Sequence, residues 1–357
     1  MKITRPTLIV DEKKAAENIE RMKRKISLSG NVRFRPHFKT HQSSRIGELF
    51  RGAGVTKITV SSVTMAAYFA GHGWNDITVA VLVNPLEIET INELLAREIN
   101  LGLLVDSAEM TAFLEEKLEY PVNLWIKIDT GYRRTGIEWD REEEILRTAA
   151  AIKNSPKSLF RGLLTHSGHS YHASSTAEIS EVYEETVIRM NAVRDFLSEK
   201  GFEGLEISIG DTPTCSVVDR FDGVDEVRPG NFVYYDVMQT ALGACKEENI
   251  AAAAACPVIG RYPGRNELVI YGGAVHLSKE FITDRNGQRV FGLVALPDSS
   301  CATWGGSIKN TYVAALSQEH GIIKTTDTFI RGVKVGDILA VLPAHSCLTA
   351  NLLRERG

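Results

Sequence analysis

Leu124-Trp125-Ile126-Lys127-Ile128 decides the fold class of this 357-residue chain. A strand with one wet face alternates apolar and polar residues. This run is apolar on both alternations, as in a parallel sheet covered by helices on each side. It belongs to a strand predicted over Val122 to Asp129, and similar runs recur on either side of it. They are Val32 to Pro36, Lys57 to Ser61, Asp76 to Val81 and Leu101 to Asp106 before it, then Leu159 to His166, Glu206 to Gly210 and a weaker run near Val224 to Arg228. Amphipathic segments such as Glu12 to Lys25, Pro85 to Arg97 and Ala177 to Lys200 lie between them. Repeated strand–helix units with no Gly-x-Gly-x-x-Gly turn predict an α/β fold, a closed (β/α)8 barrel of the TIM type rather than a dinucleotide-binding sheet.

After about Tyr235 the texture changes. Short β-like runs, Glu267 to Tyr271, Val290 to Leu296 and Ile338 to Leu342, are split by Gly, Pro, Asn and Asp, and predict an antiparallel β domain. The expected division is a barrel over 1–235 and a β domain over 236–357. Ala251 to Ala255 reads as helix by propensity or as an entering strand before Pro257.

Composition excludes several classes. With 43% hydrophobic and 24% charged residues and a formal net charge of −4, this is an ordinary soluble composition. No basic cluster marks a nucleic-acid partner, and no apolar run approaches the roughly 20 residues that span a bilayer. The start, Met1-Lys2-Ile3-Thr4-Arg5-Pro6, has no apolar leader core, so a cytoplasmic location is expected. Five scattered cysteines, an odd number, do not form a disulfide framework and suit a reducing compartment.

In a (β/α)8 barrel the chemistry sits where the strands finish. Five polar clusters fall at such points. Arg35-Pro36-His37-Phe38-Lys39-Thr40-His41 follows the first strand, and a lysine there can project into the mouth as an amine able to condense with an aldehyde. Asp129 to Gly136 follows the fifth strand, and within it Arg134 offers positive charge to a carboxylate or a cofactor ring. His166-Ser167-Gly168-His169-Ser170-Tyr171-His172 follows the sixth. Its three histidines span a glycine and need not share a face, so a polar wall headed by His166 is favoured over a metal site, with Tyr171 either bonded to a ligand or packed in the loop. Gly210-Asp211-Thr212-Pro213-Thr214 and Arg228-Pro229-Gly230-Asn231 end the seventh and eighth strands. Short Gly/Thr turns at these two positions suit a phosphate. A cofactor with both a phosphate and an aldehyde, namely pyridoxal 5′-phosphate, fits Lys39 and these turns together.

A last cluster, Pro343-Ala344-His345-Ser346-Cys347-Leu348-Thr349, follows the apolar run Ile338 to Leu342. If that strand continues, His345 and Cys347 face the same way and form a zinc-favouring imidazole–thiolate pair. The alternative is a buried cysteine beside a packed histidine.

Taken together, these motifs resemble the fold-type III pyridoxal-phosphate enzymes related to alanine racemase, in the branch of D-serine dehydratase and D-threonine aldolase. The resemblance runs from Arg5-Pro6-Thr7 to His345-Ser346-Cys347-Leu348-Thr349. It implies that Lys39 holds the cofactor covalently, that Thr212, Gly230 and Asn231 bind its phosphate, and that Tyr171 contacts it; His166 and Arg134, read from their strand-end clusters, are expected beside it. It also implies that His345 and Cys347 bind Zn2+ or another divalent metal, and that the chain is a homodimer acting on a small D-amino acid. The pair His-x-Cys is similar to that of the zinc-dependent dehydratases, whereas the aldolases carry His-x-Asp and a harder cation. The expected activity is therefore D-serine dehydration to pyruvate and ammonia, with D-threonine aldolase or an amino-acid racemase as alternatives. The stretch Gly272 to Lys279 and Met65-Ala66 depart from the pattern of that branch.

Overall fold

The computed structural model describes residues 3–354; Met1 and Lys2, the start of the segment read for a leader, and residues 355–357 lie outside it. Contacts group the chain into two compact units. One runs from Glu20 to Gly230, and the other joins the residues up to Ile19 with those from Asn231 onward.

The first unit contains all eight expected strands, Arg33–Phe34, Lys57–Val60, Asp76–Leu82, Asn100–Val105, Val122–Asp129, Ser158–Leu164, Glu206–Ile209 and Glu226–Val227. They form one parallel sheet in which the first strand neighbours the eighth and the rest follow in turn down to the second. A single parallel bridge between His37 and Thr59 closes the ring. It is supported by the Phe38 N–H on the Thr59 carbonyl at 2.8 Å and the Thr59 N–H on the Pro36 carbonyl at 2.9 Å. Helices return outside the strands. Several start at a serine (Ser43, Ser62, Ser107, Ser175) whose hydroxyl accepts an N–H from three residues further on.

The first strand has only two ladder residues, so closure needs other support. Arg35 supplies it. Its Nε donates to Glu226 Oε2 at 2.7 Å on the eighth strand, and its Nη1 donates to Asp76 Oδ1 at 2.5 Å on the third. Arg35 and Glu226 are both buried, where such charge-assisted bonds are strong and costly to break. Just beyond, Phe38 is fully buried against the rings of Phe50, Phe69 and Trp74. His41 joins this cluster, with its ring 4.4 Å from that of Phe38, and burial holds its pKa down to about 3. Phe38 and His41 thus pin the arch that carries Lys39.

Among its described residues the second unit is a seven-stranded antiparallel sheet, six strands of which close into a barrel. Ala252–Tyr262 pairs with Thr7–Val10, Glu267–Tyr271 and Ile338–Pro343. The sheet path runs on through His320–Lys324, Trp304–Leu316 and Gly292–Pro297 back to Ile338–Pro343. Its core holds Val258, Leu268, Ile270, Val294, Val313, Ile323, Leu339 and Val341. Two points about the chain's ends and its alanine run follow. The segment up to Ile19 groups with this unit rather than with the barrel expected over 1–235, because Thr7 to Val10 pair with Ala255 to Ala252. The alanine run is strand, since strands flank it on both edges and its small side chains fit a fully buried layer.

Candidate active site

Within the first unit, the strand-end residues form the wall of one mouth. Lys39 is half-buried, and its N–H donates to His37 Nδ1 at 3.4 Å. Burial holds the His37 ring neutral, and the charges of Lys39 and Arg228 add to the effect. The same holds for His166, whose pKa is lowered well below the usual value by burial and then by Lys39. His37, His166 and Lys39 are therefore electrostatic neighbours. The His37 N–H also donates to the Pro229 carbonyl at 2.9 Å. Gly230 fits tightly here: a Cβ on it would sit 3.0 Å from the His37 Cβ and carbonyl oxygen. Any side chain there would press on the lysine arch, which would have to give by a few tenths of an ångström.

The seventh turn is organised by a buried carboxylate. Asp211 accepts the Thr214 N–H at 2.8 Å, the Thr214 hydroxyl at 2.7 Å and the Ser170 hydroxyl at 2.9 Å. It thereby caps the short helix that Thr212 opens, and Thr212 is fully buried. Burial raises the Asp211 pKa to about 6 against the pull of those donors. His166 ties this turn to the sixth strand end through its Nδ1, 2.6 Å from the Gly210 carbonyl.

The three histidines of the sixth cluster diverge. His169 stacks on Tyr132, with ring centroids 6.3 Å apart, and His172 is exposed. Among the described residues, no group of three or more His, Cys, Asp or Glu is placed to hold a metal. Tyr132 also lies edge-on to His166 at 5.9 Å and under the Arg134 guanidinium at 5.1 Å. It explains Gly168, because any Cβ there would come within 2.4 Å of the Tyr132 ring. Tyr171 is half-buried in the turn Gly168–His172.

Sequence reasoning did not single out Lys127, Tyr132, Asp211 or Arg228 as individual site residues. Lys127 is buried on the inward alternation of the fifth strand, and its Nζ donates to the Ile128 carbonyl at 3.0 Å. Burial and the nearby Arg228 lower its pKa to about 7. A signal was present: a lysine inside an otherwise apolar buried strand must face the polar end of the barrel. Arg228 is fully enclosed. It donates to the Ser208 hydroxyl at 2.7 Å and to the Thr165 carbonyl, joining the sixth, seventh and eighth strands.

In the second unit, the strand Ile338–Pro343 ends before His345. His345 is the N-cap of the helix Ser346–Leu353, and Cys347 lies in its first turn. The strand alternation expected to align the pair is therefore not what aligns them. A helix start brings them together, and their side chains share a hydrogen bond. Burial opposes charge on His345, but Cys347, Asp236 and Glu280 outweigh it and raise the pKa to about 9. Asn231, expected at the phosphate, turns its side chain into this cluster. Its Nδ2 donates to Asp236 Oδ2 at 2.6 Å, to the Ser346 hydroxyl at 3.1 Å and to Cys347 Sγ at 3.4 Å.

Comparison with known proteins places this arrangement. Residues 10–237 match the family "Alanine racemase, N-terminal domain", and residues 251–356 match "Putative serine dehydratase domain". The chain is 30% identical over 353 residues to the D-threo-3-hydroxyaspartate dehydratase of Delftia sp. (strain HT23), covering 96% of this chain and 91% of that protein. It is 27% identical over 377 residues to the D-serine dehydratase of Dictyostelium discoideum, covering 98% and 91%. The solved structure of the Delftia sp. HT23 enzyme superposes with a TM-score of 0.89 at 29% identity, covering 98% of this chain and 93% of that one. Among the described residues, no helix is long and apolar enough to cross a membrane. The chain belongs to the alanine racemase N-terminal domain family, in its D-serine dehydratase and D-threonine aldolase branch, and is a pyridoxal-phosphate-dependent lyase.

Proposed function

We propose that this lyase removes water from a D-3-hydroxy amino acid, D-serine first among them, giving a 2-oxo acid and ammonia. The observation that carries this reading is the hydrogen-bonded imidazole–thiol pair of His345 and Cys347. A thiolate beside an imidazole is a soft donor set, which favours zinc over the harder cations that carboxylate sets prefer.

The residues of the first unit suit the cofactor. Lys39 lies on the arch beside two neutral histidines, His37 and His166, whose pKa values burial and then the Lys39 charge hold down. The Gly230 turn, closed against His37, and the Asp211-capped turn at Thr212 end the eighth and seventh strands, the usual place of a phosphate in this fold. His166 offers its Nε2 as an acceptor because its Nδ1 is committed to Gly210. Arg134, held over Tyr132, supplies positive charge at the rim.

When bound, pyridoxal phosphate supplies an electron sink for charge developing at the substrate α-carbon. Lys39 would hold the cofactor through its Nζ, and the same amine would serve as the general base that accepts the α-proton. His345 and Cys347 would hold a divalent metal whose Lewis acidity eases departure of the β-hydroxyl. Tyr132 and His169 stack on one another where the fifth and sixth strands end.

The test is product analysis. Purified protein with pyridoxal phosphate and zinc is given D-serine, D-threo-3-hydroxyaspartate and D-threonine in separate assays. A 2-oxo acid that disappears on chelation and returns with zinc supports the reading. Glycine and acetaldehyde from D-threonine, without 2-oxo acid, would make the chain an aldolase.

A further inference from the structure

Asn231 sits at an unusual junction for a residue in a cofactor-binding motif. It is 3% exposed, and its Nδ2 serves three acceptors, Asp236 Oδ2, Ser346 Oγ and Cys347 Sγ. Its Oδ1 is buried and has no partner among the described residues. Turning the amide over would satisfy nothing, because it would set Oδ1 against the Asp236 carboxylate at 2.6 Å. The orientation is therefore dictated by Asp236.

Asp236 is itself immobile. It is 1% exposed, its Oδ1 accepts the Gln239 N–H at 2.9 Å, and its Oδ2 accepts the Ser346 N–H at 2.9 Å and the Ser346 hydroxyl at 3.3 Å. One carboxylate thus fixes both the amide of Asn231 and the helix start that carries Cys347. The second amide hydrogen is shared between Ser346 Oγ at 3.1 Å and Cys347 Sγ at 3.4 Å. Residues that hydrogen-bond metal ligands orient them, and their loss typically weakens metal binding by about 10- to 100-fold.

We propose that Asn231, anchored on Asp236, is a positioning residue for the metal pair: its Nδ2 holds Cys347 Sγ beside His345. This rests on the reading of His345 and Cys347 as metal ligands. It gives Asn231 a task beyond the phosphate turn that Gly230 opens, carried by its side chain rather than by its backbone.

The experiment uses full-length protein freed of metal by chelation. Zinc affinity is measured by competition with a chromophoric chelator, and cobalt(II) is added to read the thiolate-to-cobalt charge-transfer band. In Asn231→Ala, zinc binding should weaken by about 10- to 100-fold. The cobalt band should move to longer wavelength, because a sulfur that loses a hydrogen bond holds its electrons less tightly. Circular dichroism checks the fold. Asn231→Ser keeps a small donor, so it should show smaller changes in both readouts and serves if the alanine variant does not fold. Wild-type zinc affinity with an unshifted band in a folded variant overturns the role of Asn231 alone. A wild-type protein that binds neither zinc nor cobalt overturns the metal reading and this inference together.

Discussion

His166 donates its Nδ1 proton to the carbonyl of Gly210 across 2.6 Å, so the imidazole carries its hydrogen on that nitrogen and presents Nε2 as an acceptor. One bond sets the tautomer of a mouth residue and ties the end of the sixth strand to the seventh turn.

Replacing His166 separates these two effects. His166→Phe leaves the Gly210 carbonyl without its donor and should cost about 1–3 kcal/mol of stability. His166→Asn can place an amide nitrogen where Nδ1 stood and should retain most of that stability while losing the ring. Urea denaturation of both variants measures the difference. Equal losses would show that the Gly210 bond carries no weight.

Lys127 makes stability depend on pH in an identifiable window. Its folded pKa, about 7, lies below the ordinary lysine value of 10.5. Between the two, the unfolded chain holds a proton that the folded chain does not, so stability rises with pH across that interval and the burden is full below it. Lys127→Met removes the titrating group, and its denaturation midpoints should lack this rise. Parallel profiles for the two proteins from pH 7 to 10 would contradict the assignment.

Arg35 is expected to be the most sensitive charged residue of the barrel. Arg35→Met leaves the buried Glu226 without its 2.7 Å partner and frees Asp76 from its 2.5 Å bond. Breaking a buried pair from one side costs about 3–5 kcal/mol. A change below about 1 kcal/mol, the scale of a surface pair, would mean that the closure is held elsewhere.

Gly230→Ala should disturb the lysine arch. The new methyl meets His37 at 3.0 Å on both its Cβ and its carbonyl oxygen, and overpacking of this kind typically costs about 1–3 kcal/mol. Cofactor uptake, followed by absorbance during titration with pyridoxal phosphate, should fall with it. Gly264→Ala, where a Cβ meets nothing within 4 Å, is the matched control and should titrate like the parent. An arch that accepts the methyl without loss of cofactor would refute the close-packing account.

The strands and their ends were legible because both depend on local signals. Burial on two faces writes continuous apolar runs such as Leu124 to Ile128, and the polar clusters after them mark where the chain reaches solvent. Non-local pairings were not legible. Nothing within Thr7 to Val10 announces that it will pair with Ala255 to Ala252 rather than join the parallel sheet. Nor does the alanine run contain its own answer, since its neighbours override its helix propensity. The His345–Cys347 proximity was expected for the wrong local reason, because a helix start, not strand alternation, brings the two together.

By itself the sequence determined the eight-stranded plan, the lysine arch and the motifs that carry the family resemblance. Each of these is written in residues adjacent along the chain, where periodicity and turn chemistry act. Only the tertiary structure decided which buried groups share a charge environment. Lys127 becomes a weakened base because folding buries it and then because Arg228, about a hundred positions later, is folded near it. Asn231 turns away from the phosphate motif because Asp236 and Ser346 enclose it. Electrostatic and hydrogen-bond energies depend on distance through space, and that distance is fixed only when the chain has closed on itself.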